Sequence, residues 1–192
     1  MRKIASLLIF IFGTYLVYAQ NEHYSDLYLQ SSRVESGEHK GYDRFDLGSY
    51  ILYNNPKRYQ AFCYIINSES GEKVFSFQDP LDSKKLEFHF FKPDSEDEKF
   101  LIFVSSTKNV SQGVYLFLLE KDKVRQLGFI EYGVDDYNFS SLGFHSLVNE
   151  VDGQIEISFY DTAIIDYKTE KVIDGNTIKF VITESSIIKI NN

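Results

Sequence analysis

The sequence has a single cysteine, Cys63, and no tryptophan. One cysteine cannot form a disulfide within the chain, which excludes the small disulfide-stapled scaffolds typical of secreted proteins. Cys63 lies in the apolar run YQAFCYII, so we expect a buried thiol in the core. The lack of tryptophan argues against a sugar-binding platform, although the 14 tyrosines could stack on sugar rings.

Positive charge is scarce: 20 basic residues stand against 28 acidic ones, and the formal net charge is −8. Binding to nucleic acid or to an anionic membrane depends on Lys and Arg, so the sequence predicts no nucleic-acid partner. An acidic surface instead favours a basic protein partner, through steering and charge complementarity. A small ligand is the other partner that we consider.

The usual catalytic and cofactor motifs are also missing. The chain has no G-x-S-x-G elbow, no G-x-x-x-x-G-K-[ST] phosphate loop and no G-x-G-x-x-G dinucleotide turn. Its histidines lack the spacing of a zinc site, and they are His23, His39, His89 and His145. We therefore predict no catalytic residue, no metal site and no cofactor, and we favour a protein that is not an enzyme.

The N-terminus has the pattern of a secretory signal peptide, residues 1–19. Arg2 and Lys3 precede a nearly continuous apolar run, and the segment ends with small or tolerated residues up to Ala19. No later run is long enough to span a membrane as a helix. The sequence thus predicts a secreted or periplasmic protein, cleaved near Ala19 and without an integral membrane span afterwards.

Residues 58–192 have the pattern of a predominantly all-β domain. Short runs rich in Phe, Tyr, Ile and Val alternate with turn residues, and Asp152-Gly153 suits a tight type I′ hairpin. We predict an antiparallel meander that forms a sandwich or a barrel. The runs FLIFV (100–104) and VYLFLL (114–119) are apolar on both strand faces, so each needs cover on two sides.

The preceding segment, residues 20–57, is less regular and is predicted to pack on this domain. Ser25 could cap a short helix from Asp26 to Val34, because its hydroxyl oxygen can accept from free amides of a first helical turn. The polar stretch after it, which contains Gly37 and Gly41, is predicted to be a loop.

The stretch EYGVDDYNFSSLGFH, residues 131–145, concentrates acids, amides and aromatic rings. Its Asp136-x-Asn138-x-Ser140 spacing resembles the start of a calcium loop, but Ser141 and Leu147 stand where that loop needs glycine and glutamate. We interpret the stretch as a long connection from a strand ending at Glu131 to one beginning at Phe144. Its candidate ligand- or partner-binding residues are Glu131, Asp135, Asp136, Tyr137, Asn138 and His145.

Three functions remain open from the sequence. The first is a secreted or periplasmic all-β binding protein of unknown ligand, resembling in role an inhibitor, an immunity protein or a small-ligand carrier. The second is a cell-envelope hydrolase that uses loop carboxylates, since glycoside hydrolysis needs two such groups. The third is a structural surface component that self-associates through its doubly apolar strands.

Overall fold

The structure, a computed structural model, describes residues 22–56, 61–80, 85–96, 98–107, 111–134, 141–160, 162–183 and 186–191. These residues form an antiparallel all-β fold of three sheets with two short 3₁₀ helices, at Leu142–His145 and Gly175–Thr177. None of the helical segments described is long and apolar enough to cross a membrane.

Nine strands make up the largest sheet, in the spatial order β10-β9-β8-β7-β1-β12-β13-β16-β17. They are β1 (Glu22–Leu27), β7 (Lys85–Pro93), β8 (Lys99–Thr107), β9 (Ser111–Glu120), β10 (Lys123–Ile130), β12 (Ser146–Val151), β13 (Gln154–Phe159), β16 (Ile178–Ile182) and β17 (Ile187–Asn191). The two smaller sheets comprise β2 (Ser32–Arg33), β3 (Asp43–Leu47), β4 (Tyr50–Asn55), β5 (Phe62–Asn67) and β6 (Lys73–Gln78), and β11 (Tyr132–Val134), β14 (Ala163–Asp166) and β15 (Lys171–Asp174).

The nine-stranded sheet curls until its two outer strands, β10 and β17, come into contact, which makes it a nearly closed, barrel-like sheet. Gly128 lies in β10 at a bulge with φ +152°, and a Cβ at this position would be only 2.6 Å from Ile187 Cδ1 of β17. Glycine fits this point because it tolerates the backbone conformation and leaves room for the opposing strand.

The strands β8 and β9 are buried on both faces, and both covers come from the same chain. Leu101, Phe103 and Leu116 point into the core enclosed by the nine-stranded sheet, which we call the inner core. Ile102 and Phe117 point the other way, into a core shared with the five-stranded sheet, which we call the inter-sheet core. The fold is thus barrel-like on one side of this hairpin and a sandwich on the other.

The all-β antiparallel prediction is confirmed, together with several local details. Asp152 and Gly153 have φ values of 52° and 74°, as a type I′ hairpin requires. Cys63 is 1% exposed in the inter-sheet core, where burial raises the pKa of its thiol. The predicted signal peptide, residues 1–19, lies outside the described residues.

The helix predicted from Asp26 to Val34 is wrong, and the segment 20–57 is more regular than predicted. Ser25 belongs to β1, which pairs with β7 and β12, and residues 43–55 supply two strands of the five-stranded sheet. Only Tyr24 of β1 is fully buried, so its sequence EHYSDL lacks the apolar alternation of a strand. Its stability comes from long-range pairing that a local pattern does not reveal.

The double cover of the hairpin can be tested by truncating one ring on each face. Phe117 packs against Phe75 and Phe77 with ring centroids 4.9 and 5.1 Å away, and Phe103 packs on Phe91 at 4.8 Å. We expect Phe117→Ala and Phe103→Ala each to lower the free energy of unfolding by about 3–5 kcal/mol, measured by urea denaturation.

Val172→Ala serves as the control, because Val172 is 58% exposed and its loss should change stability by about 0.5 kcal/mol or less. A Phe117→Ala protein as stable as the wild type would show that the five-stranded sheet does not cover this face.

Candidate functional site

Of the stretch 131–145, the structure describes residues 131–134 and 141–145, and the second part contributes Gly143 and Phe144 to a site. Glu131 is exposed before β11, and its backbone carbonyl accepts a hydrogen bond from Tyr167 N at 3.1 Å. Asp135, Asp136, Tyr137 and Asn138 lie outside the described residues. The predicted strand beginning at Phe144 is wrong, since residues 142–145 form a 3₁₀ helix and β12 begins at Ser146.

This 3₁₀ helix lies beside a gap in the nine-stranded sheet. β1 pairs with β7 only as far as Leu27 opposite Phe90, whereas β7 continues to Lys85. Beyond Leu27 the chain leaves this sheet and enters the five-stranded sheet at β2. The 3₁₀ helix packs against the part of β7 that β1 does not pair with. Its residues Gly143 and Phe144 contact His89 of β7 there.

A cleft of about 450 Å³ opens beside this gap, between β7 and the strands β3 and β4 of the five-stranded sheet. Its apolar lining consists of Phe45, Pro56, Leu86, Phe88 and Phe144. Its polar lining consists of Ser31, Asp43, Asn54, Lys85, Glu87 and His89. We call it the inter-sheet cleft.

His89 is held tightly by the 3₁₀ helix. A Cβ at Gly143 would lie 2.4 Å from His89 Cγ, so only glycine lets the imidazole pack this closely. The Phe144 ring meets the imidazole edge-on, with centroids 4.1 Å apart and an interplanar angle of 79°. Tyr28, which is 78% exposed, extends this aromatic rim, with its ring centroid 6.1 Å from that of Phe144.

His89 is only 7% exposed, and its environment keeps it neutral. Burial lowers the pKa of its imidazole to about 4, because desolvation penalises the charged form; Glu87 opposes this effect and His145 adds to it. At neutral pH the ring therefore carries one hydrogen-bond donor and one acceptor. His145, predicted from sequence as a binding residue, is half-buried and acts here as an electrostatic neighbour of His89.

Asn54 is the least satisfied polar group of the cleft. Its side chain is on the face of β4 that also carries the core residue Leu52, and the residue is 5% exposed. Oδ1 has no hydrogen-bond partner among the described residues, although an unsatisfied buried oxygen costs on the order of 1–3 kcal/mol. Ser105 and Ser141 also have unpartnered hydroxyls, but neither is among the described residues that line the cleft.

Several other buried or half-buried polar groups among the described residues have partners. Asp79 accepts from Ser106 Oγ at 2.7 Å and from Tyr115 OH at 3.2 Å. Glu150 accepts from Lys99 Nζ at 2.9 Å and from Tyr24 OH at 2.8 Å. Burial would raise the pKa of Glu150, but these hydrogen bonds outweigh it and the pKa is lowered. These pairs explain why such polar residues are tolerated, whereas among the described residues of the cleft lining no partner explains the buried oxygen of Asn54.

The charged groups at the cleft are already paired. Asp43 accepts from Arg33 Nη1 at 2.7 Å, and Lys85 donates to Glu87 at the same distance. Across the described residues, no group of three His, Cys, Asp or Glu side chains is placed to hold a metal ion. The cleft therefore offers aromatic walls, one buried acceptor and a neutral imidazole, which are the means of binding a small organic molecule.

Comparison of the chain with protein-family models, with curated protein sequences and with solved structures finds no match.

The sequence analysis missed this site because its residues come from distant parts of the chain. Asn54, His89 and Phe144 belong to β4, β7 and the first 3₁₀ helix. One signal was present in LEFHFF, where a histidine interrupts an otherwise apolar strand segment. Gly143 next to Phe144 was a second signal, since a glycine outside a tight turn often marks a close approach.

The environment of His89 can be measured directly by NMR titration of its imidazole C–H signals. We expect a pKa of about 4 in the wild type. Phe144→Ala should raise this pKa toward the unperturbed value of about 6.5, because water then reaches the ring. Leu147→Ala is the control: Leu147 is 42% exposed, close to the 40% of Phe144, but it does not line the cleft.

The same low pKa links His89 to stability. Between about pH 6.5 and 4 the unfolded chain binds a proton that folded His89 does not, so the free energy of unfolding should fall as the pH falls through this window. A wild-type pKa near 6.5, or one unchanged by Phe144→Ala, would contradict the burial described here.

Proposed function

We propose that this chain is an exported, all-β binding protein, and that a small organic ligand occupies its inter-sheet cleft. The observation that carries the proposal is the Asn54 side chain, an unpartnered buried acceptor among aromatic walls. An apolar residue at this position would avoid the free-energy cost of an unsatisfied buried oxygen. A bound ligand that donates a hydrogen bond to Oδ1 would remove the same cost.

The size and composition of the cleft support a small molecule. Its volume of about 450 Å³ falls in the usual range of about 300–1,000 Å³ for ligand pockets. Such pockets combine apolar and aromatic walls with a few polar groups that fix orientation. Phe45, Phe88 and Phe144 provide the walls here, while Asn54 and His89 provide the polar groups.

The exposed aromatic rim also favours binding. Phe144 and Tyr28 are 40% and 78% exposed, and they are adjacent at the edge of the cleft. Large exposed apolar side chains that cluster beside a concave site are a common mark of ligand recognition. Export rests on the signal-peptide pattern of residues 1–19.

Binding at the cleft can be tested with a library of small aromatic compounds, using chemical-shift mapping on ¹⁵N-labelled protein. We expect the hits to perturb residues around Asn54, His89 and Phe144. Phe144→Ala should weaken these hits by about tenfold, because it removes an aromatic wall. Leu147→Ala, a truncation of similar exposure outside the cleft, should leave their affinities unchanged.

The binding proposal is wrong if no compound perturbs the cleft. It is equally wrong if the hits map elsewhere on the surface, or if the two truncations weaken binding alike.

Export is tested separately by expressing the full chain in a bacterial host and measuring the intact mass of the exported product. We expect a mature protein that begins at Gln20, after removal of residues 1–19. Ala19→Leu should reduce processing at this bond, because signal peptidases require a small residue before the cut. Recovery of the wild-type chain only in the cytoplasm, still with Met1, would refute export.

A further inference from the structure

We propose that the inter-sheet cleft selects small aromatic ligands that carry an N–H donor and are neutral or positively charged, and that it rejects anions. This inference rests on the proposed binding function and specifies its ligand class. Three features of the cleft carry it: the acceptor of Asn54, the phenylalanine walls and the sign of the charges at the cleft.

The donor requirement follows from Asn54. Its Oδ1 is buried and unpartnered, and no described hydrogen bond involves the Asn54 side chain. A bound N–H group would satisfy this oxygen, which belongs to a residue only 5% exposed, and a hydrogen bond is stronger in such a low-dielectric setting than in water. A ligand without a donor would fill the same space and leave the oxygen unsatisfied.

The preference for a ring follows from the two walls. On the side of the five-stranded sheet, Phe45 lies 5.4 Å from Phe88, measured between ring centroids. At the rim, the ring of Phe144 is edge-on to His89 and remains 40% exposed. An aromatic ring can pack face-to-edge or offset against these phenylalanines, and a cation near their faces gains further attraction.

The charge preference follows from the side chains of the described lining, where no cationic group is left unpaired. Lys85 is the one cationic side chain among the described residues of the lining, and it is paired with Glu87. Asp43, the other lining carboxylate, is paired with Arg33. His89 stays neutral in this setting, so among the described residues of the lining an anion would find no unpaired positive group to offset its own loss of hydration. The net charge of −8 acts in the same direction at longer range.

Four indoles of similar size separate these features in a calorimetric binding experiment at neutral pH. 3-Methylindole and 1,3-dimethylindole are both neutral and differ in the ring N–H. Tryptamine and indole-3-acetate share the ring and the N–H but carry opposite charges. We expect 3-methylindole to bind about tenfold more tightly than 1,3-dimethylindole. We expect tryptamine to bind at least about tenfold more tightly than indole-3-acetate.

Asn54→Leu supplies the matched variant. It removes the acceptor with little change of side-chain volume, so the two neutral indoles should bind the variant with equal affinity. Tryptamine should still bind the variant more tightly than indole-3-acetate. The variant should also be at least as stable as the wild type, because it removes an unsatisfied buried oxygen. If this variant does not fold, the comparison of the two neutral indoles on the wild-type protein still decides the donor requirement.

The outcomes test the ligand class separately from ligand binding in the cleft. If indoles bind in the cleft but indole-3-acetate matches tryptamine, or if N-methylation has no effect, the ligand class is wrong while cleft binding stands. If none of the four binds and the aromatic library also gives no hit in the cleft, the binding function itself fails.

Discussion

The structure depends on one constraint, the hairpin of β8 and β9, whose two faces are both apolar. Phe103 on one face and Phe117 on the other are each at most 1% exposed. Since a sheet has only two faces, a hairpin of this kind must be enclosed by two separate layers. The remaining strands supply them: the nine-stranded sheet curls around one face, and the five-stranded sheet lies over the other.

The cleft is a consequence of how the chain connects these two layers. β1 is placed in the middle of the nine-stranded sheet, yet the next strand, β2, belongs to the five-stranded sheet. The chain must therefore leave the first layer, and it does so after Leu27, while β7 continues to Lys85. The end of β7 is left beside a gap, which Gly143 and Phe144 cover from one side and the cleft borders on the other.

The parts of the fold that the sequence predicted are those encoded locally. Alternation in QIEISF predicted a strand with one buried face, and Asp152-Gly153 predicted a hairpin, because both signals depend on neighbouring residues. The role of β1 could not be predicted, since its polar residues are accommodated by partners far along the chain, such as Asn149 for His23. The inter-sheet cleft could not be predicted for the same reason, because its residues converge only through the topology.

The buried polar groups differ in whether they have partners, and Ser105 and Ser141 share with Asn54 an oxygen that has none. Asp79 and Lys99 are buried with charged or hydroxyl partners, and folding alone accounts for them, because the partners offset the loss of hydration. Asn54 and His89 are buried where the two layers diverge, with an unpartnered oxygen on one and a depressed pKa on the other. We propose that these two side chains, on adjoining walls of one aromatic cleft, are present because of the ligand that they would contact.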